Sequence, residues 1–106
     1  MRKTIRFQVA LAAVVLMTGA MSFAQDGAAI YKAKCLNCHG AAGLADTGVG
    51  KALKMKAITD PSVKSMTEAQ MVAATTNGTG KMQPFKGKIT DAEIKAATDH
   101  FRTFIK

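Results

Sequence analysis

The chain has 106 residues, with fifteen Lys and Arg against seven Asp and Glu, a formal net charge of +8. That length holds a single domain. The basic residues are spread along the chain rather than gathered into the stripe that nucleic-acid binding needs, and no RNA- or DNA-binding motif accompanies them. Trp is absent and aromatic residues make up 6% of the chain, so little large apolar mass is available to build a core.

Residues 1–24 carry the pattern of a secretory signal. Arg2, Lys3 and Arg6 form a basic start, and residues 9–17 are an apolar run too short to span a bilayer comfortably. Ser22-Phe23-Ala24 follows the small-x-small rule, so cleavage after Ala24 leaves Gln25 first. The alternative is an uncleaved membrane anchor. No Cys stands at the cleavage site, which argues against a lipoprotein. Residues 25–106 then form one domain of 82 residues with a net charge of +5, since three basic residues leave with the signal. A core of that size is marginal, and small domains commonly add a staple. There are no internal repeats and no low-complexity linker.

The apolar and small residues of 26–38, among them Ala28, Ala29, Ile30, Tyr31 and Ala33, predict a first helix with Asp26 as its cap. Ile30 and Tyr31 lie one turn before Cys35 and should face the core. Cys35-Leu36-Asn37-Cys38-His39 ends this helix and reads C-x-x-C-H, the pattern of covalent c-type haem attachment. Two thiols three positions apart share one side of a helical turn and can add to the two vinyl groups on one edge of a porphyrin. His39 then reaches the iron through an imidazole nitrogen, the usual proximal ligand. Three other uses of these residues compete. A thioredoxin-like dithiol needs a βαβ context, and the chain reads as helices and loops. Zinc needs four ligands, for which Cys35, Cys38, His39 and His100 are the only soft set. A Cys35–Cys38 disulfide closes so small a loop that it would stabilise little. Export and C-x-x-C-H support each other, because c-type haem is attached outside the cytoplasm. A buried porphyrin would also supply the missing apolar mass.

Residues 40–50 are rich in glycine (Gly40, Gly43, Gly48, Gly50), which lets backbone pass close to a flat ligand. Residues 51–57 predict a short helix that Asp60-Pro61 breaks. A clear helix is expected over 67–76, with a capping box at Ser65-Met66-Thr67-Glu68 and a stop at Asn77-Gly78. Its apolar residues include Met71, read as core. Residues 79–85 form a loop. The last helix starts at the capping box Thr90-Asp91-Ala92-Glu93 and carries Ile94, Ala97, Phe101 and Ile105 near the spacing of one buried face.

With these elements in order, the chain resembles the small monohaem class I c-type cytochromes of bacteria. The resemblance rests on Gly27 and Tyr31, on Cys35-Leu36-Asn37-Cys38-His39-Gly40, on the Asn77-Gly78 stop, on Met82-Gln83-Pro84-Phe85 and on the terminal helix, and it covers residues 25–106. It implies an all-α, cytochrome c-like fold, three to four helices with loops wrapped round one covalent haem c. It also implies a sixth iron ligand at Met82. The residues agree: of Met55, Met66, Met71 and Met82, only Met82 sits in a loop between two helices, with Pro84 stiffening its exit. Thioether sulfur is soft and favours ferrous iron. Met55 and then His100 are the runners-up. Two positions depart from the family pattern. Gly50-Lys51-Ala52-Leu53 replaces Gly-Pro-x-Leu, whose Pro carbonyl accepts the N–H of the proximal His. His100 replaces a terminal-helix aromatic that packs near Gly27 and Tyr31.

The implied function is a periplasmic electron carrier, not an enzyme, with no substrate site left open between His39 and Met82. The competing class is a haem enzyme or gas sensor with a labile Met82. Lys34, Lys81, Lys86 and Lys88 flank the two haem-bearing segments, which suggests redox partners with an acidic docking surface. No nucleic acid and no membrane span after cleavage are expected.

Overall fold

A computed structural model describes residues 26–106. The signal-type segment of residues 1–24 lies outside the described residues. Six helical segments follow one another: α1 (Gly27–Lys34), α2 (Leu36–His39), α3 (Gly48–Ala52), α4 (Pro61–Lys64), α5 (Glu68–Asn77) and α6 (Asp91–Arg102). The described residues hold no strand, only two isolated bridges in the loop before α6. The fold is all-α as expected, with three helices of eight residues or more and three single turns between them.

Local chemistry sets most of the boundaries. Asp26 caps α1, its carboxylate accepting from the Ala29 N–H at 3.2 Å. The single helix expected over 26–38 is interrupted at Cys35, where φ opens to −118° although its N–H still bonds to the Tyr31 carbonyl at 2.8 Å. The chain restarts as α2, with the Cys35 carbonyl accepting from His39 N–H at 2.9 Å. Thr47 caps α3 through its bond from Gly50 N–H, so this helix begins ahead of the expected 51–57 segment. Asp60-Pro61 starts a helix rather than breaking one. Asp60 accepts from Ser62 N–H at 2.9 Å, and Pro61 takes the first helical position, where its missing N–H costs nothing. These Ser62 bonds hold the Asp60 carboxyl below the usual range. The capping box of α5 is also shifted. It pairs Thr67 with Gln70, by bonds of 3.1 and 2.8 Å, and not Ser65 with Glu68. The box at α6 forms as read, between Thr90 and Glu93.

α6 is the spine. It packs across α1 and alongside α5, and its buried face holds Ile94, Ala97 and Thr98. Ile94 is fully enclosed. Phe101 is half-buried on the helix, and Ile105, expected on the same helical face, is half-buried past the helix end. A three-way ion pair joins α5 and α6 on the outside, Lys95 to Glu68 at 3.1 Å and to Asp99 at 2.7 Å. Exposed pairs of this kind add little, so burial carries the contact.

At the crossing of α1 and α6 the two backbones touch. A Cβ on Gly27 would collide with the Ala96 carbonyl and lie 3.3 Å from the His100 Cβ. The obstacle is backbone, which cannot rotate away, so one helix must move to admit a side chain. Gly27→Val should therefore destabilise the folded protein by about 1–3 kcal/mol, the usual range for overpacking. A lower urea midpoint with an unchanged m value would show it; an unchanged midpoint would mean the crossing is looser than described.

Candidate haem site

The site grows from the short link between α1 and α2. Tyr31 on α1 is almost wholly buried, and its hydroxyl donates to the Gly40 carbonyl at 2.6 Å. Burial, then the nearby Cys35 and Asp46, push its pKa up. This bond joins the start of the C-x-x-C-H turn to its end. Inside that frame Cys35 and Cys38 are free and partly exposed. Burial, then Cys38, push the Cys35 thiol up to about 11. A dithiol redox centre needs an easily formed thiolate, so its electrostatics are wrong here. Among the described residues no three His, Cys, Asp or Glu side chains gather as a metal site, so the four soft residues weighed for zinc do not meet.

His39 is positioned from three sides. Its N–H bonds back to Cys35, its carbonyl accepts from Ala45 N–H at 2.8 Å, and its ring meets Phe101 edge-on at 5.0 Å. Burial holds the imidazole pKa below the usual histidine range. The ring is therefore neutral near pH 7, with a lone pair available to a metal. Its Nδ1 is buried with no hydrogen-bond partner. The Lys51 carbonyl, standing where the family pattern has Pro, instead accepts from Lys54 N–H at 3.1 Å.

The glycine-rich segment does pass close to something, but to protein rather than to the cavity. A Cβ on Gly50 would lie 2.5 Å from the Cys38 carbonyl oxygen, and one on Gly43 about as close as 3.0 Å to Phe101. These residues brace the back of the C-x-x-C-H turn, helped by Thr47, whose hydroxyl donates to the Cys38 carbonyl at 3.3 Å.

In front of His39 lies a strongly apolar cavity of about 180 Å³, lined among others by Tyr31, Cys35, Met71, Met82, Ala97 and Phe101. It adjoins a wider lobe of about 800 Å³ whose lining includes Cys35, Cys38, His39, Met55 and Met82. His39 and Met82 line both. Met82 sits in a pinned loop: it exchanges backbone bonds with Thr79 at 2.8 and 3.1 Å, while Phe85 and Lys86 N–H groups bond to the Thr75 and Thr76 carbonyls. The runners-up separate. Met55 lines only the wider lobe, and His100 lines neither. His100 packs 5.3 Å from Tyr31 and 5.2 Å from Phe104, as expected of the aromatic it replaces.

Some lining residues were missed. Met66 and Met71 both face the smaller cavity, as does buried Thr98. Arg102 steadies this wall: its guanidinium donates to the Met66 backbone carbonyl at 2.9 Å and lies 3.7 Å from the Met71 sulfur. Four lysines line the wider lobe: Lys34 and Lys81, as expected, and Lys54 and Lys56. Lys86 and Lys88 are exposed outside it, with Lys88 donating to Gln83 at 2.9 Å.

Comparison with known proteins decides what this arrangement is. Residues 22–100 match the family described as "Cytochrome C oxidase, cbb3-type, subunit III". The chain belongs to this cytochrome c family, as a small monohaem class I c-type cytochrome. It is similar to cytochrome c6 of Leptolyngbya boryana, 38% identical over 69% of this chain and 82% of the relative. It is also similar to cytochrome c6 of Synechocystis sp., 32% identical over 84% of this chain and 78% of the relative. Among solved structures it resembles the KustC0563 c-type cytochrome, with a TM-score of 0.69 and 31% identity, over 76% of this chain and 99% of that one. The cofactor of this cytochrome is covalently bound haem c. The residues present fit it: an apolar cavity, two partly exposed thiols at its rim, a neutral imidazole and a thioether on its lining.

Proposed function

We propose that this electron carrier of the cytochrome c family, which is not an enzyme, works in the periplasm, with haem thioether-bonded to Cys35 and Cys38 and iron held between His39 and Met82. The observation that carries this reading is that His39 and Met82 line one apolar cavity beside both cysteines. Bound haem supplies a one-electron couple. The chain's task is to hold both ligands still and keep water out. The backbone bonds that pin the Met82 loop support a permanent sixth ligand over the labile one that an enzyme or sensor would need. Export rests on the signal pattern of residues 1–24. No helix among the described residues is long and apolar enough to cross a membrane.

Lys34 and Lys81 border the wider lobe, with Lys86 and Lys88 on the turn beyond, and no carboxylate lines that lobe among the described residues. An acidic partner fits this rim. Complementary charge speeds encounter without making a complex too sticky for rapid exchange.

Three measurements test the proposal. The purified protein should have the intact mass of residues 25–106 plus one haem, and the haem should stay with the polypeptide on a denaturing gel. Haem that extracts into acid-acetone would refute covalent attachment. Met82→Ala should abolish the sulfur-to-iron charge-transfer band, admit carbon monoxide or cyanide, and lower the potential by a shift large on the roughly 0.8 V scale that axial ligands span. A band that survives this change and disappears in Met55→Ala would move the ligand to Met55. Finally, Lys81→Glu should slow electron transfer to the natural partner and flatten its dependence on ionic strength, with the unfolding midpoint unchanged. A wild-type rate that stays flat or rises with salt would rule out an acidic partner.

A further inference from the structure

The end of α3 is a Schellman motif. Met55 N–H bonds to the Gly50 carbonyl at 2.9 Å and Lys54 N–H to the Lys51 carbonyl at 3.1 Å. This closure needs a left-handed residue just past the helix, a position usually filled by Gly. Here it is Lys54, at φ 54°. A residue with a Cβ is strained in that conformation, and such strain commonly marks a site where the side chain is wanted. Lys54 lines the wider lobe, and among the described residues it makes no ion pair or side-chain hydrogen bond. Lys56 lines both lobes, steadied by Ser62 at 3.1 Å, which in turn donates to Asp60 at 2.6 Å.

The lobe thus receives cations with no carboxylate on its lining. Haem brings two propionates, on the porphyrin edge opposite the vinyl groups. If Cys35 and Cys38 hold the vinyl edge, the carboxylates face away from it. Lys34 belongs to the cysteine edge by adjacency to Cys35, whereas Lys54 and Lys56 enter the lobe on the separate segment that leaves α3. We propose that Lys54 is kept at its left-handed position because its ammonium pairs with a haem propionate, with Lys56 beside it. This assignment rests on the thioether reading of Cys35 and Cys38, and it separates two lysines on the segment after α3 from the rim that meets a partner.

Lys54→Gly tests it on the haem-loaded protein, because glycine suits the left-handed backbone while removing the side chain and its charge. The urea midpoint should hold or rise while the midpoint potential falls, since a lost cation makes ferric haem easier to form. The carboxylate bands in the redox infrared difference spectrum should shift as well. Lys54→Arg, which keeps both charge and strain, should hold the wild-type potential, and Lys34→Gln should leave the carboxylate bands in place. Three results would overturn the proposal: a Lys54→Gly protein of unchanged potential, unchanged carboxylate bands despite a changed potential, or an equal effect from Lys34→Gln. Failure of the thioether reading would be seen separately, as haem lost from the wild-type polypeptide under denaturing conditions.

Discussion

The contact of Gly27 with the Ala96 carbonyl brings α1 and α6 closer than side chains would allow, and the rest of the site is built outward from it. At this separation Tyr31 stacks on Phe101 at 5.9 Å and meets Phe104 edge-on at 5.5 Å. Held in that aromatic group, the Tyr31 hydroxyl reaches the Gly40 carbonyl and closes the C-x-x-C-H turn. Phe101 in turn meets the His39 ring. A helix crossing, one buried hydrogen bond and one edge contact therefore connect the core to the imidazole. Aromatic pairs of this kind add about 0.5–1.5 kcal/mol each beyond the area they bury. That contribution matters in a domain this small, whose folding margin is narrow.

The two axial candidates are held by different means. His39 lies within a rigid turn braced from behind by Gly50 and Thr47. Met82 lies in a loop whose backbone bonds to itself and to the end of α5. Both devices act on the backbone, so neither side chain depends on the other for its placement. That suits electron transfer, in which the ligands should stay still while the charge on iron changes. The spare thioethers are handled differently: Met71 is buried with its sulfur beside the Arg102 guanidinium, and the Met66 backbone is tied to the same group.

The elements that carry strong local signals were legible in the sequence. The Thr90–Glu93 box, the Asp26 cap and the apolar stripe of α6 each rest on short-range chemistry, and each appears where it was read, except that the helix ends before Ile105. The C-x-x-C-H turn and the Met82 loop were legible for the same reason. The misreadings arise where two local signals compete. Ser65 and Thr67 can both cap a helix, each with a partner three residues on, and Ser65 is taken up as the C-cap of α4 while Thr67 pairs with Gln70. Asp60-Pro61 can end one helix or begin the next, and the Ser62 bonds decided for a beginning. The break at Cys35 has no sequence signal of its own. The lobe-lining Lys54 and Lys56 and the role of Arg102 were hidden because they depend on chain segments far apart in sequence, such as Arg102 and Met66.

The Lys51 departure bears on the surroundings of His39. In the family pattern this position is Pro, which has no N–H. Lys51 has one, and donates it to the Thr47 carbonyl at 2.9 Å, completing the first turn of α3. A regular helix then ends regularly, in a Schellman closure that takes up the Lys51 carbonyl. That carbonyl stands where the family's acceptor for the proximal His would be, and the His39 Nδ1 is left buried without a partner. A hydrogen bond from that nitrogen raises the basicity of a ligating imidazole, so without it His39 is the weaker donor. If His39 and Met82 hold the iron as proposed, a weaker donor stabilises ferric iron less, and the soft sulfur of Met82 acts in the same direction. Lys51 thus supplies the N–H that completes the first turn of α3 and the carbonyl that closes it, while the His39 imidazole has no hydrogen-bond partner among the described residues to fix its orientation.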